Sequence, residues 1–310
     1  MRTLPDAREA EYAGSMDFRN ALRTVLVLLV FTAALALSCR VSAASPQVLV
    51  TPERVLQGEP ALVRVIGVPG LAGVSLMVRD VLVPLFMHDG VPTAIIGTDL
   101  RQAPGSYPIR AKSSNGTEVT TTLVVQERPR IVLDAPTGIS DELGGDTAAG
   151  RAVFLTELAK ENTLLARLRT GTKVFWTRPF RAPVPNPVVT DTYGYSRQTG
   201  VTEVAHRGTD YRAPAGTRVY AMNRGVVRLA RYLPVYGNIA VVDHGLGLQT
   251  LYLHLSRIGV NEGELVLPGQ LIGRSGQTGY AEGPHLHVSV KVSGMSVDPE
   301  RFLALLGAGR

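Results

Sequence analysis

Short alternating apolar stretches, separated by glycine and proline, are the feature of this sequence that most restricts its fold. Six of them follow one another at residues 47–50, 61–66, 73–77, 93–96, 106–111 and 118–125. A period of two is typical of strands with one buried face. Ser114-Asn115-Gly116 predicts a hairpin turn before the last of them. We therefore expect an immunoglobulin-like β-sandwich over residues 45–128.

The same pattern returns in the last third of the chain. Strands are expected at residues 218–221, 225–229, 239–243, 248–254, 270–272 and 285–292. The 32 glycines, 20 prolines and 6% aromatic residues suit short strands and tight turns better than long helices. Residues 179–310 are therefore predicted to form a mainly antiparallel β domain.

One stretch between these modules has a helical period. Asp146 or Thr147 is suited to cap a helix over about residues 148–169. Its predicted apolar face is formed by Val153, Leu158, Leu165 and Leu168. We expect a single helix here, within a linker of residues 129–178, that connects the two β modules and fixes them relative to each other. The fold class is thus mainly β, with a helical connector.

The first 43 residues have the composition of an export signal. Residues 24–37 carry no charge, Arg19 and Arg23 precede them, and small residues follow at 42–44. A membrane span needs about 20 apolar residues, so this run is short for one. We therefore expect a signal peptide over residues 1–43 and a periplasmic or cell-envelope location.

Two features of this region leave alternatives open. The acidic residues before Met16 fit a signal badly, so Met16 is the expected translation start. The segment could also remain as an uncleaved anchor, or Cys39 could be acylated as in a lipoprotein. Cys39 is the single cysteine, so a mature chain without it excludes thiol catalysis, disulfides and cysteine-ligated zinc.

The net charge of +6 comes without any basic run interleaved with aromatic residues. This distribution argues against nucleic acid as a partner. It is compatible with an acidic polymer, but charge by itself does not identify one.

Histidine is concentrated in the second β module. Five of the six histidines lie in the last 105 residues, in the runs 206–210, 243–245, 252–254 and 285–287. A catalytic zinc site uses three protein ligands and leaves a fourth position open. Because residues two apart on a strand point to the same side, His285 and His287 are expected to face one cleft.

The order of these motifs resembles that of the lysostaphin-type (LytM-like) zinc peptidoglycan endopeptidases. Residues 206–217 match the pattern H-x-G-x-D-x-x-x-P-x-G of that family. Tyr252-Leu253-His254-Leu255 and the run 276–287, which ends in His285-Leu286-His287, follow in the same order. The resemblance covers residues 188–303. An aromatic-Gly-x-Arg lead-in is one residue longer here, at residues 193–197.

The resemblance implies a role for each of five residues. His206, Asp210 and His287 would bind one Zn²⁺ per chain. His254 and His285 would position and deprotonate the metal-bound water. The implied activity is hydrolysis of peptide cross-links or stem peptides in bacterial peptidoglycan. His244 is expected to be structural, and His88 to be a turn residue.

Other interpretations of the function remain open from the sequence. The chain could be a non-catalytic or self-inhibited envelope module that activates another cell-wall hydrolase, or a zinc hydrolase of proteins outside the wall. The N-terminal β domain could place the groove or bind an envelope protein. Contact with a membrane is expected only through the signal or anchor segment.

Overall fold

The computed structural model describes residues 45–134, 147–177, 179–199 and 202–307. The predicted signal peptide, Met16, Cys39 and Asp146 lie outside these residues. Two helices occur in the described part of the chain, and neither has the length and apolar character required to cross a membrane. The predicted mainly β class is confirmed.

Nine strands form the first module as two facing sheets. One sheet has the order β1-β3-β7-β6 and the other has the order β2-β9-β8-β4-β5. Their inward side chains form one apolar core, which includes Val63, Leu76 and Ile109. The strands are β1 (Gln47–Thr51), β2 (Arg54–Leu56), β3 (Ala61–Ile66), β4 (Ser75–Val78), β5 (Val81–Val83), β6 (Phe86–His88), β7 (Val91–Ile96), β8 (Gly105–Lys112) and β9 (Glu118–Gln126).

The sequence analysis did not predict β2, β5 or β6, each of which has three residues. Runs this short do not establish a period of two, so their pairing with longer neighbours decides their structure. The module is a β-sandwich, and its assignment as immunoglobulin-like stays a prediction.

A ten-stranded sheet dominates the second module. Its main path is β11-β14-β21-β18-β17-β16-β19, with β15, β20 and β22 paired beside it. A separate sheet has the order β10-β12-β13. The strands are β10 (Val132–Leu133), β11 (Val189–Asp191), β12 (Ser196–Thr199), β13 (Thr202–Ala205), β14 (Thr209–Tyr211), β15 (Arg218–Tyr220), β16 (Gly225–Leu233), β17 (Gly237–Gly245), β18 (Leu248–Ile258), β19 (Leu265–Val266), β20 (Leu271–Ser275), β21 (Leu286–Val292) and β22 (Met295–Val297).

The two faces of this sheet have different partners. One face contributes Tyr211, Tyr252 and Val288 to the main core, against Phe302 of the short helix α2 (Pro299–Leu306). The sequence analysis did not predict α2, which follows the last strand. Asp298 caps α2 by accepting from Glu300 and Arg301, and Pro299 occupies its first turn, which is a recognisable start signal.

The other face of the sheet is covered by the helix α1 (Ala148–Ala166). Thr147 caps it, accepting a 3.0 Å hydrogen bond from Gly150. Phe154, Glu161 and Leu165 face the protein, whereas the predicted Val153 is 51% exposed. Leu165 packs with Leu251 and other apolar side chains of β16 to β18. The helix is therefore integrated into the second module along this face.

The β-sandwich is docked against the second module by apolar and ionic contacts. Leu62, Phe86 and Ile95 join the main core of the second module. A Cβ atom on Gly97 would lie 2.9 Å from Val297 Cγ1, so the chain that leaves β7 approaches β22 too closely there for a side chain. Arg128 Nη2 lies 3.4 Å from Asp298 Oδ2. These contacts hold the 99–101 loop of the sandwich beside the second module.

Candidate metal centre

Three side chains converge beside β14 and β21. His206 precedes β14, Asp210 lies on it, and His287 is its partner across the ladder to β21. The Asp210 Oδ1 atom lies 2.8 Å from His287 Nδ1 and 3.2 Å from His206 Nε2. The two histidine nitrogens are 3.0 Å apart. The structure thus brings the three predicted metal-ligating residues to one point.

The outward hydrogen bonds determine which nitrogen of each histidine carries its proton. His206 Nδ1 donates to the Thr192 carbonyl oxygen at 2.8 Å. His287 Nε2 lies 3.0 Å from Ser289 Oγ, whose own proton goes to the Arg207 carbonyl oxygen. His287 Nε2 must therefore be the donor, and the inward nitrogens of both histidines present lone pairs.

This donor set fits a zinc ion. Two imidazole lone pairs and a carboxylate oxygen face one another and need a cation between them. Ligand atoms about 2.0–2.1 Å from a tetrahedral zinc lie roughly 3.3 Å apart, close to the spacings found here.

The glycine of the H-x-G-x-D motif is explained by His287. A Cβ atom on Gly208 would lie 2.3 Å from His287 Nε2 and 2.4 Å from the Val288 carbonyl oxygen. Any side chain at position 208 would therefore push His287 out of place.

His254 reaches the same site through an irregularity in β18. Leu253 and His254 together lie opposite the single residue Ile239 of β17, which is a β-bulge. His254 also has a backbone φ of 57°, in the left-handed region that a non-glycine residue seldom adopts. Strained backbone of this kind is often found at functional sites, where it holds a side chain in the required orientation.

Two loops hold His254 in this conformation. Its Nδ1 donates to the Thr278 carbonyl oxygen at 2.8 Å, so Nε2 carries a lone pair. Its backbone N–H donates to the Tyr236 carbonyl oxygen at 3.0 Å. The ring centroid lies 4.9 Å from that of His285 and 6.1 Å from that of His287.

His285 lies in the predicted strand 285–292, but the observed strand β21 begins one residue later, at Leu286. Its Nδ1 donates to the Gly283 carbonyl oxygen, and its Nε2 lies 3.8 Å from Asp210 Oδ2. His285 and His287 therefore face one site, as the H-x-H spacing predicts. The structure brings all five predicted residues together, and their individual roles stay predictions.

Helix α1 supports both loops that hold His254. Glu161 accepts from Val235 N at 2.7 Å and from Tyr236 N at 3.0 Å. Phe154 stacks on Tyr280 with 4.0 Å between ring centroids. The sequence analysis missed Glu161 because a carboxylate on a helix is usually solvated.

Burial and charge act in opposite directions on the site. Burial raises the pKa of Asp210, but His287 and His206 lower it by a larger amount. The net pKa therefore lies well below the usual value. Burial and the neighbouring histidines lower the pKa of His254 to about 3. The carboxylate is therefore ionised, and His254 is neutral near pH 7.

The remaining histidines have other surroundings. His244 is fully buried, with Nδ1 bonded to the Arg224 carbonyl oxygen and Nε2 to Thr250 Oγ1, both at 2.9 Å. Thr250 continues to the Tyr252 hydroxyl, which is a structural network as expected. His88 ends β6 and precedes the turn at Asp89, which has a positive φ.

The five side chains lie in a groove of about 720 Å³. Leu251 and Leu253 of β18 and alternate residues of β21 form its floor. Helix α1 lines one side, and the segment around Tyr195 and Arg197 lines another. Leu100 and Arg101 of the β-sandwich also line the groove, so both modules contribute to it.

A β domain with such a centre in a groove has the arrangement of a metal-dependent peptidase. Residues 204–299 match the sequence model of Peptidase family M23. The resemblance to lysostaphin-type peptidases is thereby confirmed.

Two curated relatives share this domain. Peptidoglycan DD-endopeptidase ShyA of Vibrio cholerae is 48% identical over 93 residues, which are 30% of this chain and 22% of that protein. DD-carboxypeptidase/endopeptidase Mpg of Neisseria meningitidis is 43% identical over 94 residues, with the same two shares. The chain therefore spans about a fifth of the length of these relatives.

One solved structure resembles most of the chain. The crystal structure of a candidate M23 peptidase from Pseudomonas aeruginosa has a TM-score of 0.58 at 25% sequence identity. The match covers 82% of this chain and 96% of that one. The likeness therefore extends well beyond residues 204–299.

Proposed function

We propose that this protein is an exported zinc metalloendopeptidase that hydrolyses peptide bonds in bacterial peptidoglycan. The observation that carries the proposal is the convergence of three lone-pair donors, from His206, Asp210 and His287, beside two further histidines in one groove. The names of the two relatives favour cross-link cleavage of the DD-endopeptidase type.

His206, Asp210 and His287 would hold a single zinc ion. When bound, the ion would lower the pKa of a water molecule and polarise the scissile carbonyl group. Thr192 and Ser289 keep the two histidine rings oriented by accepting their outward protons. Asp210 supplies the negative charge that the site needs to retain a divalent cation.

His254 and His285 would act as the proton-transfer groups. Each donates its Nδ1 proton to a backbone carbonyl oxygen, so in the neutral form of either ring the lone pair is on Nε2. An imidazole in this tautomer can accept the proton of the attacking water and return it to the leaving amine. No carboxylate base is required for this assignment.

The proposal that the protein is exported rests on the sequence of residues 1–43. An envelope location is also consistent with peptidoglycan as the substrate. Peptidoglycan lies outside the cytoplasmic membrane, so its hydrolase must be exported. The names of the relatives support an envelope location in the same way.

The test uses the purified protein, loaded with zinc and incubated with peptidoglycan sacculi, with soluble fragments identified by mass spectrometry. New peptide ends are expected from the wild type and from His88→Ala, a control histidine in the sandwich. His287→Ala should lose zinc binding and cleavage, whereas His254→Ala should keep most zinc and lose cleavage. Zinc binding without any release by the wild type would contradict the proposal and favour a role in activating another hydrolase.

A further inference from the structure

We propose that Lys291 forms a subsite for a carboxylate group of the bound peptide, at the end of the groove where the β-sandwich meets the catalytic module. This inference rests on the proposed peptidase function and adds a preference for anionic peptides. Three observations support it: the position of Lys291 on the strand that holds the metal site, the charges around it, and the absence of a partner for its ammonium group among the residues that the structure describes.

Lys291 lies on the same strand and on the same face as the candidate metal ligand. His287, Ser289 and Lys291 alternate along β21 and line the groove, whereas Val288 and Val290 point into the core on the other face. Four residues of a strand cover roughly 13 Å. A peptide lying along this floor would therefore place a group about four residues from the scissile bond near Lys291.

Other charged groove residues have ion-pair partners. Arg197 lies 3.7 Å from Asp191 and 3.4 Å from Glu282. Arg101 and Arg207 share the carboxylate of Asp99, at 3.5 Å and 3.3 Å.

Within the described residues, the Lys291 ammonium has no hydrogen-bond or ion-pair partner. Burial, and then the charge of Arg207, lower its pKa to about 8. Arg207 shares the Asp99 carboxylate with Arg101, whereas the nearby Lys291 is partly desolvated and has no acidic partner among the described residues. An anion bound there would gain a charge-assisted hydrogen bond.

The β-sandwich completes this end of the groove. Arg101 and Leu100 come from the sandwich loop, and Asp99 ties that loop to Arg207 of the catalytic module. Ser296 on β22 is the ladder partner of Lys291 and also lines the groove. The sandwich therefore lines the end of the groove where Lys291 lies, which gives the first module a direct role in substrate binding.

The environment of the Lys291 ammonium group favours a carboxylate as the ligand. The space is part of a peptide-sized groove rather than an enclosed phosphate cradle, and a stem peptide carries several free carboxylates. An ammonium group with a flexible stem can follow a carboxylate whose position varies between substrates.

The test measures equilibrium binding separately from cleavage. The probes are a stem tetrapeptide containing D-Glu and diaminopimelate, and the same peptide with every carboxylate converted to a primary amide. The zinc-loaded full chain should bind the acidic form about 10- to 100-fold more tightly than the amide, the range for one hydrogen bond to a charged group. Lys291→Met should reduce this ratio to near one and leave the affinity for the amide unchanged.

Two variants separate a binding role from a structural one. Lys291→Arg should keep most of the preference, and Lys112→Met, which removes an exposed lysine of β8, should keep all of it. Equal discrimination by wild type and Lys291→Met, or no discrimination by wild type, would overturn the proposal. Preference for the acidic peptide without cleavage of sacculi would keep the subsite and contradict the peptidase function instead.

Discussion

Replacing Glu161 should disturb a histidine that lies on a distant strand. The Glu161 carboxylate on helix α1 accepts from the backbone N–H groups of Val235 and Tyr236, and the Tyr236 carbonyl oxygen accepts from the backbone of His254. Glu161 thus holds the loop that keeps His254 in its strained conformation. We expect Glu161 to be a positioning residue for the site.

The magnitude follows from the groups left without partners. A hydrogen bond to a charged group contributes about 1.5–3 kcal/mol, and a buried donor without a partner costs about 1–3 kcal/mol. Burial raises the pKa of Glu161, so part of the gain offsets the desolvation of its carboxylate. Glu161→Ala should therefore lower the free energy of unfolding by about 3 kcal/mol. Misplacement of His254 by about 1 Å would reduce kcat by roughly 100-fold.

The assay pairs urea denaturation with the rate of peptide release from sacculi. Glu157→Ala is the matched control, since Glu157 lies one turn away on the same helix and forms a surface ion pair with Lys160. That pair is worth less than about 1 kcal/mol, and the control should keep its activity. Glu161→Gln can accept only one of the two hydrogen bonds and should fall between wild type and Glu161→Ala.

The reasoning would be refuted if Glu161→Ala matched Glu157→Ala in both stability and rate. Loss of stability with an unchanged kcat would assign Glu161 to folding and remove its link to His254. Bound zinc should be the same in all three variants, because the contacts of Glu161 lie outside the metal-ligating group.

Three further changes test other parts of the structure. Gly208→Ala should weaken zinc binding by at least about 10-fold because its Cβ would displace His287, and a zinc titration giving the wild-type affinity would contradict this. Burial lowers the pKa of His244 to about 4, so on acidification the unfolded chain takes up this proton before the folded chain does. In metal-free samples, lowering the pH from about 6.5 to 4 should therefore destabilise the wild type by about 3 kcal/mol more than His244→Gln. Parallel pH profiles of urea stability would rule this out. Arg128→Met should lower the free energy of unfolding by about 3 kcal/mol because it removes the cation beside the buried Asp298 carboxylate, and an unchanged urea midpoint would show that the ion pair does not hold the modules together.

Much of the candidate site was predictable because its residues belong to short motifs. The H-x-H pair lies at the start of a strand, and a spacing of two places both rings on one face. The H-x-G-x-D run combines two metal-ligating residues with a glycine that leaves room for the third. Predictions of this kind need only local geometry and the chemistry of each residue type.

Other features could not be predicted from the sequence because their partners are distant along the chain. The buried face of α1 includes Glu161, whose partners lie 74 and 75 positions away. A helical pattern of apolar residues placed Val153 on that face instead, although it is exposed. The bulge that aims His254 also depends on how β18 pairs with β17.

The sequence by itself indicated the mainly β class, the resemblance to lysostaphin-type peptidases and the five candidate residues that the structure brings together, since these depend on residue type, period and spacing. Only the tertiary structure decided that α1 supports His254 and that the sandwich forms one end of the groove. It also decided that Lys291 lies in the groove with no partner among the described residues. The physical reason is that burial and hydrogen bonding join residues as far apart as Arg128 and Asp298, 170 positions from each other. A local sequence pattern does not predict whether a charged side chain will be paired with a distant group or will remain available to bind a ligand.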